Sequence, residues 1–179
     1  MATVEAALAF VQTSSTPKLT VSFDGKVVGN GEHIPKAETH VAPTVSLTSP
    51  GSDTYLALCV DLDAPFISFP FLSPILHWLQ PGLRAGATSS SESGATELTA
   101  SDTPYVFDYR GAGPPPGAAP HRYVFLLYRQ PEGFEGKVFG QPDEGQKVGL
   151  MKRVRYDFGG LVARAGLGEP VAGSWVVSN

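Results

Sequence analysis

The chain has 179 residues, 42% of them hydrophobic and 17% charged, a globular composition that excludes intrinsic disorder. A formal net charge of -4 provides no overall basic excess for a phosphate backbone, so nucleic-acid binding is not expected beyond local basic patches. Cys59 is the single cysteine, which excludes a disulfide scaffold, and no apolar run reaches the ~18 residues that cross a bilayer.

The length fits one domain over residues 1–179, and 20 glycines with 16 prolines favour turns over long helices. Met1–Phe10 has no basic leader region and carries Glu5 inside its apolar stretch, so no signal peptide and a cytoplasmic location are expected. Residues 2–12 have helix-forming composition, with Val4, Leu8 and Val11 at helical spacing. Lys18–Phe23 alternates with period two and meets Asp24-Gly25, a hairpin signal, with Lys26–Val28 returning. Val41–Leu47 reads as a strand ended by Ser49-Pro50-Gly51. Tyr55–Val60 is almost wholly apolar, which predicts a strand buried on both faces and makes Cys59 a small core hydrophobe rather than a nucleophile.

Pro65–Pro74 mixes aromatic residues with prolines that forbid helix or sheet, so an ordered apolar loop is expected. Ile75–Leu79 reads as a short strand. Residues 84–103 are rich in Ser, Thr, Ala and Gly and read as a mobile insertion, a solvated loop in preference to a lid. Gly111–Gly117 is a rigid glycine–proline turn feeding Arg122–Tyr128, the clearest strand of the chain. Val148–Ala165 has a helical pattern closed by Gly166 and Gly168, and Val171–Val177 is a final strand. Short strands with turn signals and one late helix predict a mainly β (α+β) fold, an antiparallel Greek-key β-sandwich with a few peripheral helices.

Residues able to carry chemistry cluster at strand ends. Asp61 and Asp63 are spaced i, i+2, which places two carboxylates on one side, a costly arrangement without compensating partners. His77 lies in an apolar strand, where a satisfied core histidine is the commoner outcome, and His121 opens the strand that follows the proline turn. Together with Tyr123 and the backbone N–H groups around Gly113, they form a set able to hold an anion of phosphate or carboxylate size, with the aspartates orienting the histidines. The spacing lacks the His-x-x-x-His and Cys-x-x-Cys patterns of metal sites, so no metal is expected. No Gly-x-Ser-x-Gly elbow occurs, so a serine hydrolase is not expected, and the prolines after Gly113 exclude a dinucleotide fingerprint, so no cofactor is expected.

Asp61-Leu-Asp-Ala-Pro65, His77-Trp78, Gly111-Ala-Gly-Pro-Pro115, His121-Arg-Tyr-Val-Phe125 and Leu167–Gly173 resemble, in order, the signature blocks of the phosphatidylethanolamine-binding protein family. The resemblance spans about residues 18–177 and looks most like fungal members. It implies an antiparallel sandwich with a shallow anion pocket lined by Asp61, Asp63, His77, Gly113, His121 and Tyr123, and a cis Ala64-Pro65 bond. The sequence departs from the family pattern in placing Leu62 where proline is usual, and in carrying Phe66, Ile67, Phe69, Phe71 and Leu72 after Pro65. If these flank the pocket, the ligand has a substantial apolar part; if they pack inside the domain, that inference fails. The extra C-terminal helix of some animal members is expected to be missing.

The resemblance implies a ligand-binding module for a phosphate- or carboxylate-bearing, phospholipid-like ligand, with regulation of a protein partner as a further role. Protease inhibition rests on family likeness alone. The alternative is an enzyme of fungal polyketide or maleic-anhydride biosynthesis, with His77 or His121 as general base and amides near Gly113 stabilising an enolate.

Overall fold

The computed structural model describes residues 3–13, 19–86, 94–100, 102–143 and 146–179. In chain order the elements are α1 (Val4–Gln12), β1 (Thr20–Phe23), β2 (Lys26–Val28), β3 (Thr44–Thr48), β4 (Tyr55–Asp61), β5 (Ile75–Ala85), β6 (Ala95–Thr99), β7 (His121–Arg129), α2 (Phe158–Arg164) and β8 (Ala172–Ser178). Ala2 and Lys18, at the ends of expected elements, and residues 87–93 and Ser101, within the expected insertion, lie outside the described residues.

The strands hydrogen-bond in the order β2-β1-β3-β6-β5-β4-β7-β8, each neighbouring pair antiparallel. After the consecutive β4, β5 and β6, β7 returns to lie beside β4, which is the Greek-key order. The fold expected from the strand and turn pattern is the fold observed.

Two apolar cores explain why β4 and β7 read as unbroken hydrophobic runs. One core joins Val21, Phe23, Val45 and Leu47 to Cys59, Trp78, Phe125 and Leu127, filling the space between the two halves of the sheet. The other joins Leu56, Leu58, Leu76 and Leu126 to Ala7 and Val11 of α1 and Leu161 and Val162 of α2. All seven residues of β4 are buried, as alternation between two cores demands. Each fully buried Leu contributes about 1.5–3 kcal/mol relative to exposure. Thr3 starts α1 by accepting a hydrogen bond from the Ala6 N–H at 3.1 Å.

Three expectations need correction. The strand expected over Ile75–Leu79 runs on to Ala85, because Pro81 and Gly82 form a bulge rather than an end. Gly82 has φ +76° and donates its N–H to the Gln130 side chain at 2.7 Å. The insertion expected over 84–103 holds the end of β5 and all of β6, which pairs with β3 and β5. The helix expected over Val148–Ala165 is α2 alone, preceded by a short 3-10 turn at Leu150–Lys152. Backbone groups that would have closed that helix go elsewhere: Arg153 C=O accepts from Leu76 N–H, and the N–H groups of Arg155 and Tyr156 reach Leu72 and Pro74 carbonyls, all at 3.0 Å.

Candidate functional site

β4, β5 and β7 end together, and their last or first residues meet around one hollow of about 170 Å³. Asp61, His77 and His121 form its polar part, Arg110, Gly113 and Pro115 approach from the glycine–proline loop, and Pro65, Leu72, Ile75 and Leu150 form an apolar wall. Asp61, His77 and His121 are at most 4% exposed.

Asp61 organises the polar part. Its Oδ1 accepts the Asp63 N–H at 2.8 Å, and its Oδ2 lies 2.9 Å from His121 Nδ1 and 4.0 Å from His77 Nε2. The Nε2 of His121 faces the Pro65 carbonyl at 3.1 Å. Both His121 nitrogens therefore face atoms that only accept, an arrangement satisfied when both carry protons. Burial opposes that charge, but the hydrogen bond to Asp61, its negative charge and the Pro65 carbonyl outweigh burial and raise the His121 pKa. His121 is thus held by Asp61 and Pro65 in a setting that favours its charged form.

His77 is held differently. Its Nδ1 lies 2.7 Å from the Arg110 carbonyl, so Nδ1 donates and the neutral ring presents Nε2 as a lone pair. Arg110 also donates its own N–H to the His77 carbonyl at 2.9 Å, clamping the residue through main chain and ring. Burial pushes the His77 pKa below its ordinary value, against the raising influence of Asp61. Two histidines on one aspartate thus differ: the pKa of His121 is raised and that of His77 is lowered, and Nε2 of His77, at the hollow, is the nitrogen free of a hydrogen-bond partner among the described residues.

The structure brings Asp61, His77, Gly113 and His121 to the hollow, and sets Asp63 and Tyr123 behind it. The Asp63 carboxylate is engaged by Arg122, whose N–H, Nε and Nη2 donate at 2.7, 2.9 and 2.7 Å. The two aspartates thus have separate partners, which removes the repulsion their spacing suggests. The Tyr123 ring meets His77 edge-on, with centroids 5.1 Å apart, and its hydroxyl accepts the Gly113 N–H at 3.3 Å. Burial and the Asp61 charge push the phenol far above its usual range, so the hydroxyl stays neutral.

Residues that sequence reasoning missed complete the arrangement. Arg153, with a side chain 1% exposed, donates to the carbonyls of Val148, Leu76, His77 and Asp108 and pairs with the Asp108 carboxylate. It ties the His77 strand to two flanking loops. Its signal was hidden within a helical pattern. The Pro65–Pro74 loop is ordered by Leu72 N–H to Ala64 O at 3.0 Å and Ala64 N–H to Ser73 Oγ at 2.8 Å. The Ala64-Pro65 and Ser73-Pro74 bonds are cis. Phe66, Ile67, Phe69 and Phe71 are 45–65% exposed and do not pack inward; of the apolar residues after Pro65 in that loop, Leu72 is the one that lines the hollow. Among the described residues no group of three or more His, Cys, Asp or Glu is arranged to hold a metal ion. No helix of the described residues is long and apolar enough to cross a membrane.

Comparison with known proteins agrees with this geometry at the level of fold and family. The profile described as "Phosphatidylethanolamine-binding protein" matches residues 24–171. The chain is 32% identical over 127 residues to phomoidride biosynthesis cluster protein N of Talaromyces stipitatus, covering 69% of this chain and 58% of that protein. It is 30% identical over 133 residues to carboxypeptidase Y inhibitor of Saccharomyces cerevisiae, covering 71% and 56%. It therefore spans somewhat over half the length of these relatives. The crystal structure of carboxypeptidase Y inhibitor complexed with its cognate proteinase superposes with a TM-score of 0.72 at 22% identity, covering 98% of this chain and 90% of the other.

Proposed function

The chain belongs to the phosphatidylethanolamine-binding protein family, and on that premise we propose that its hollow binds the phosphate or carboxylate head of a small amphiphilic ligand. The observation that carries this reading is the buried His77 Nε2, which faces the hollow and has its nearest carboxylate, Asp61, beyond hydrogen-bond distance at 4.0 Å. A protonated oxygen of the ligand would donate to it, or His77 would take up a proton and donate to the anion. The Arg110 charge lies at the mouth, and a proton on His121 would cancel the Asp61 charge that otherwise repels an anion. A hollow of about 170 Å³ suits a head group rather than a whole drug-sized molecule, for which ~300–1,000 Å³ is usual. The exposed aromatic loop beside it accounts for an apolar tail. The cytoplasm is the expected setting. The likeness to carboxypeptidase Y inhibitor leaves a protein partner as a further expectation.

The experiment is calorimetric titration with inorganic phosphate and with small dicarboxylates, comparing wild type with His77→Leu. Binding by wild type and at least about a tenfold loss in the variant are expected, since the lost group makes a direct contact. Equal binding by both proteins would remove His77 from the site.

A second reading is favoured by the same nitrogen. With Nδ1 held by a backbone carbonyl, the His77 Nε2 is oriented as a general base, and a similar protein is named for a biosynthesis cluster. In that reading an anhydride or carboxylate substrate loses a proton to His77, while His121, with both nitrogens engaged, holds Asp61 in place. Turnover of such a substrate by wild type and none by His77→Leu would favour catalysis over binding.

A further inference from the structure

The loop that follows β7 encloses a second cavity, of about 250 Å³, against the end of α2. β7 begins at His121, which lines the first hollow, and ends at Arg129, so roughly 30 Å of strand at about 3.3 Å per residue separates the two. Phe134 and Phe139 stack in the wall of this cavity with centroids 5.1 Å apart and an interplanar angle of 2°, and Val138 is 61% exposed beside them. The Arg164 guanidinium lies over the Phe139 ring at 5.4 Å, and its Nε donates to the Gly160 carbonyl at 3.2 Å. Its Nη groups have no hydrogen-bond or ion-pair partner among the described residues. Glu132 and Glu135 line the same cavity, and among the described residues neither is in an ion pair. The loop's own cation, Lys137, is taken by Asp143 at 3.0 Å. One fork of donors, two carboxylates and an aromatic wall thus share a cavity without neutralising one another.

We propose that this cavity binds a free aromatic α-amino acid as its zwitterion, the carboxylate on Arg164, the ammonium on Glu132 and Glu135, and the ring against Phe134 and Val138. Each part of that ligand answers one part of the cavity. A planar guanidinium matches a carboxylate through two parallel N–H···O bonds, and stacking on Phe139 fixes the fork before a ligand arrives. A ligand carrying a carboxylate alone would meet two negative side chains, and one carrying an ammonium alone would meet the guanidinium. Opposite charges on one small molecule satisfy all three groups. The ring adds to an aromatic pair that already stands open to water, where offset or edge-on contact is favourable. The volume falls below the ~300–1,000 Å³ of drug-sized sites, which suits a single amino acid rather than a peptide. Asp61, His77 and His121 take no part, so the inference goes beyond the reading of the first hollow and does not need it.

The test is titration of the isotope-labelled full chain with L-phenylalanine, followed through backbone amide NMR shifts. Saturable shifts are expected over residues 131–139 and 164–165, with a Kd of ~1 mM or tighter, and none at His77 or His121. Hydrocinnamate, which lacks the ammonium, and phenethylamine, which lacks the carboxylate, should each bind at least about tenfold more weakly. Glycine, which keeps both charges and lacks the ring, should weaken by a similar factor of about ten. Arg164→Gln, and separately Glu132→Gln with Glu135→Gln, should each weaken phenylalanine about tenfold or more. These three side chains are exposed, so thermal unfolding checks that the fold is kept, and the analogue series on wild type needs no variant. The proposal is overturned by an absence of saturable shifts up to ~10 mM, or by shifts confined to the first hollow. Hydrocinnamate or phenethylamine binding as tightly as phenylalanine overturns it too, as does an Arg164→Gln protein that binds like wild type. Phosphate bound without phenylalanine would sink this cavity's reading alone, and phenylalanine bound without phosphate would sink that of the first hollow alone.

Discussion

Asp61 and His121, 60 positions apart in the chain, meet at 2.9 Å with both side chains at most 4% exposed. The bond fixes the end of β4 to the start of β7 at the floor of the hollow. A raised pKa in the folded state means that the pair's stabilisation is full below the unfolded histidine value of ~6.5 and is lost as pH rises through the folded value. His121→Gln should cost about 3 kcal/mol in acid-side buffers, and the difference from wild type should shrink as pH rises. Denaturant titrations between mildly acidic and mildly alkaline pH check this. A difference that grows with pH would contradict the raised His121 pKa.

His77 carries the opposite sign. Burial lowers its pKa, and an anion beside Nε2 would raise it again, so binding draws in a proton. Phosphate affinity should therefore strengthen as pH falls from neutrality toward the free-site pKa, by at most about tenfold per pH unit for one proton taken up. Titration in buffers of different ionisation enthalpy reads the proton count directly. An affinity flat with pH would mean that phosphate binds without protonating His77.

Asp63 stands behind the hollow with its carboxylate on Arg122, and the substitution Asp63→Ala separates structure from binding. The change should destabilise the fold by about 2 kcal/mol, less than a fully buried pair because the Arg122 side chain is 35% exposed. Phosphate affinity measured well below the melting temperature should stay within about twofold of wild type. A large loss of affinity with little loss of stability would place Asp63 in contact with ligand.

Two glycines of one loop should behave differently. A Cβ on Gly111 would lie 2.5 Å from the Thr39 carbonyl oxygen, so Gly111→Ala must move the backbone that holds His77 through Arg110. A Cβ on Gly113 would meet nothing within 4 Å, and Gly113→Ala should change stability by less than about 1 kcal/mol. Melting curves of both variants test the contrast. A lower phosphate affinity in Gly113→Ala, with stability intact, would show the ligand lying close against that loop.

Arg153→Met removes a buried fork that serves Val148, Leu76, His77 and Asp108. It should lower the denaturant midpoint at unchanged slope, a loss of about 3 kcal/mol or more, because four carbonyls lose a donor together. Arg153→Lys should rescue little, since an ammonium cannot span the same acceptors.

The sequence disclosed most of this where local chemistry decides. β4 and β7 were legible because continuous apolar runs have no alternative to burial on both faces. Asp61, His77 and His121 were legible as motif residues, and their meeting followed from strand ends. What stayed hidden depends on partner choice over long distances. The Asp61-x-Asp63 spacing says nothing of which carboxylate takes His121 and which takes Arg122. Val148–Ala165 has helical periodicity, yet Arg153 and the backbone at 153–156 find tertiary partners that outcompete the helix. Pro81 and Gly82 look like a strand end, and only the pairing partner shows a bulge. Ala95–Thr99 is short and poor in large side chains, so its pairing on both sides, not its composition, makes it a strand.

β4 belongs to two cores at once, and Asp61 is its last residue. Loosening either core must disturb the same strand, so the corner that carries Asp61 has no melting event of its own. Amide protons along β4 should exchange only when the whole molecule opens. A substitution deep in either core will then reach a ligand assay as a smaller folded fraction, with the intrinsic affinity of the surviving molecules unchanged.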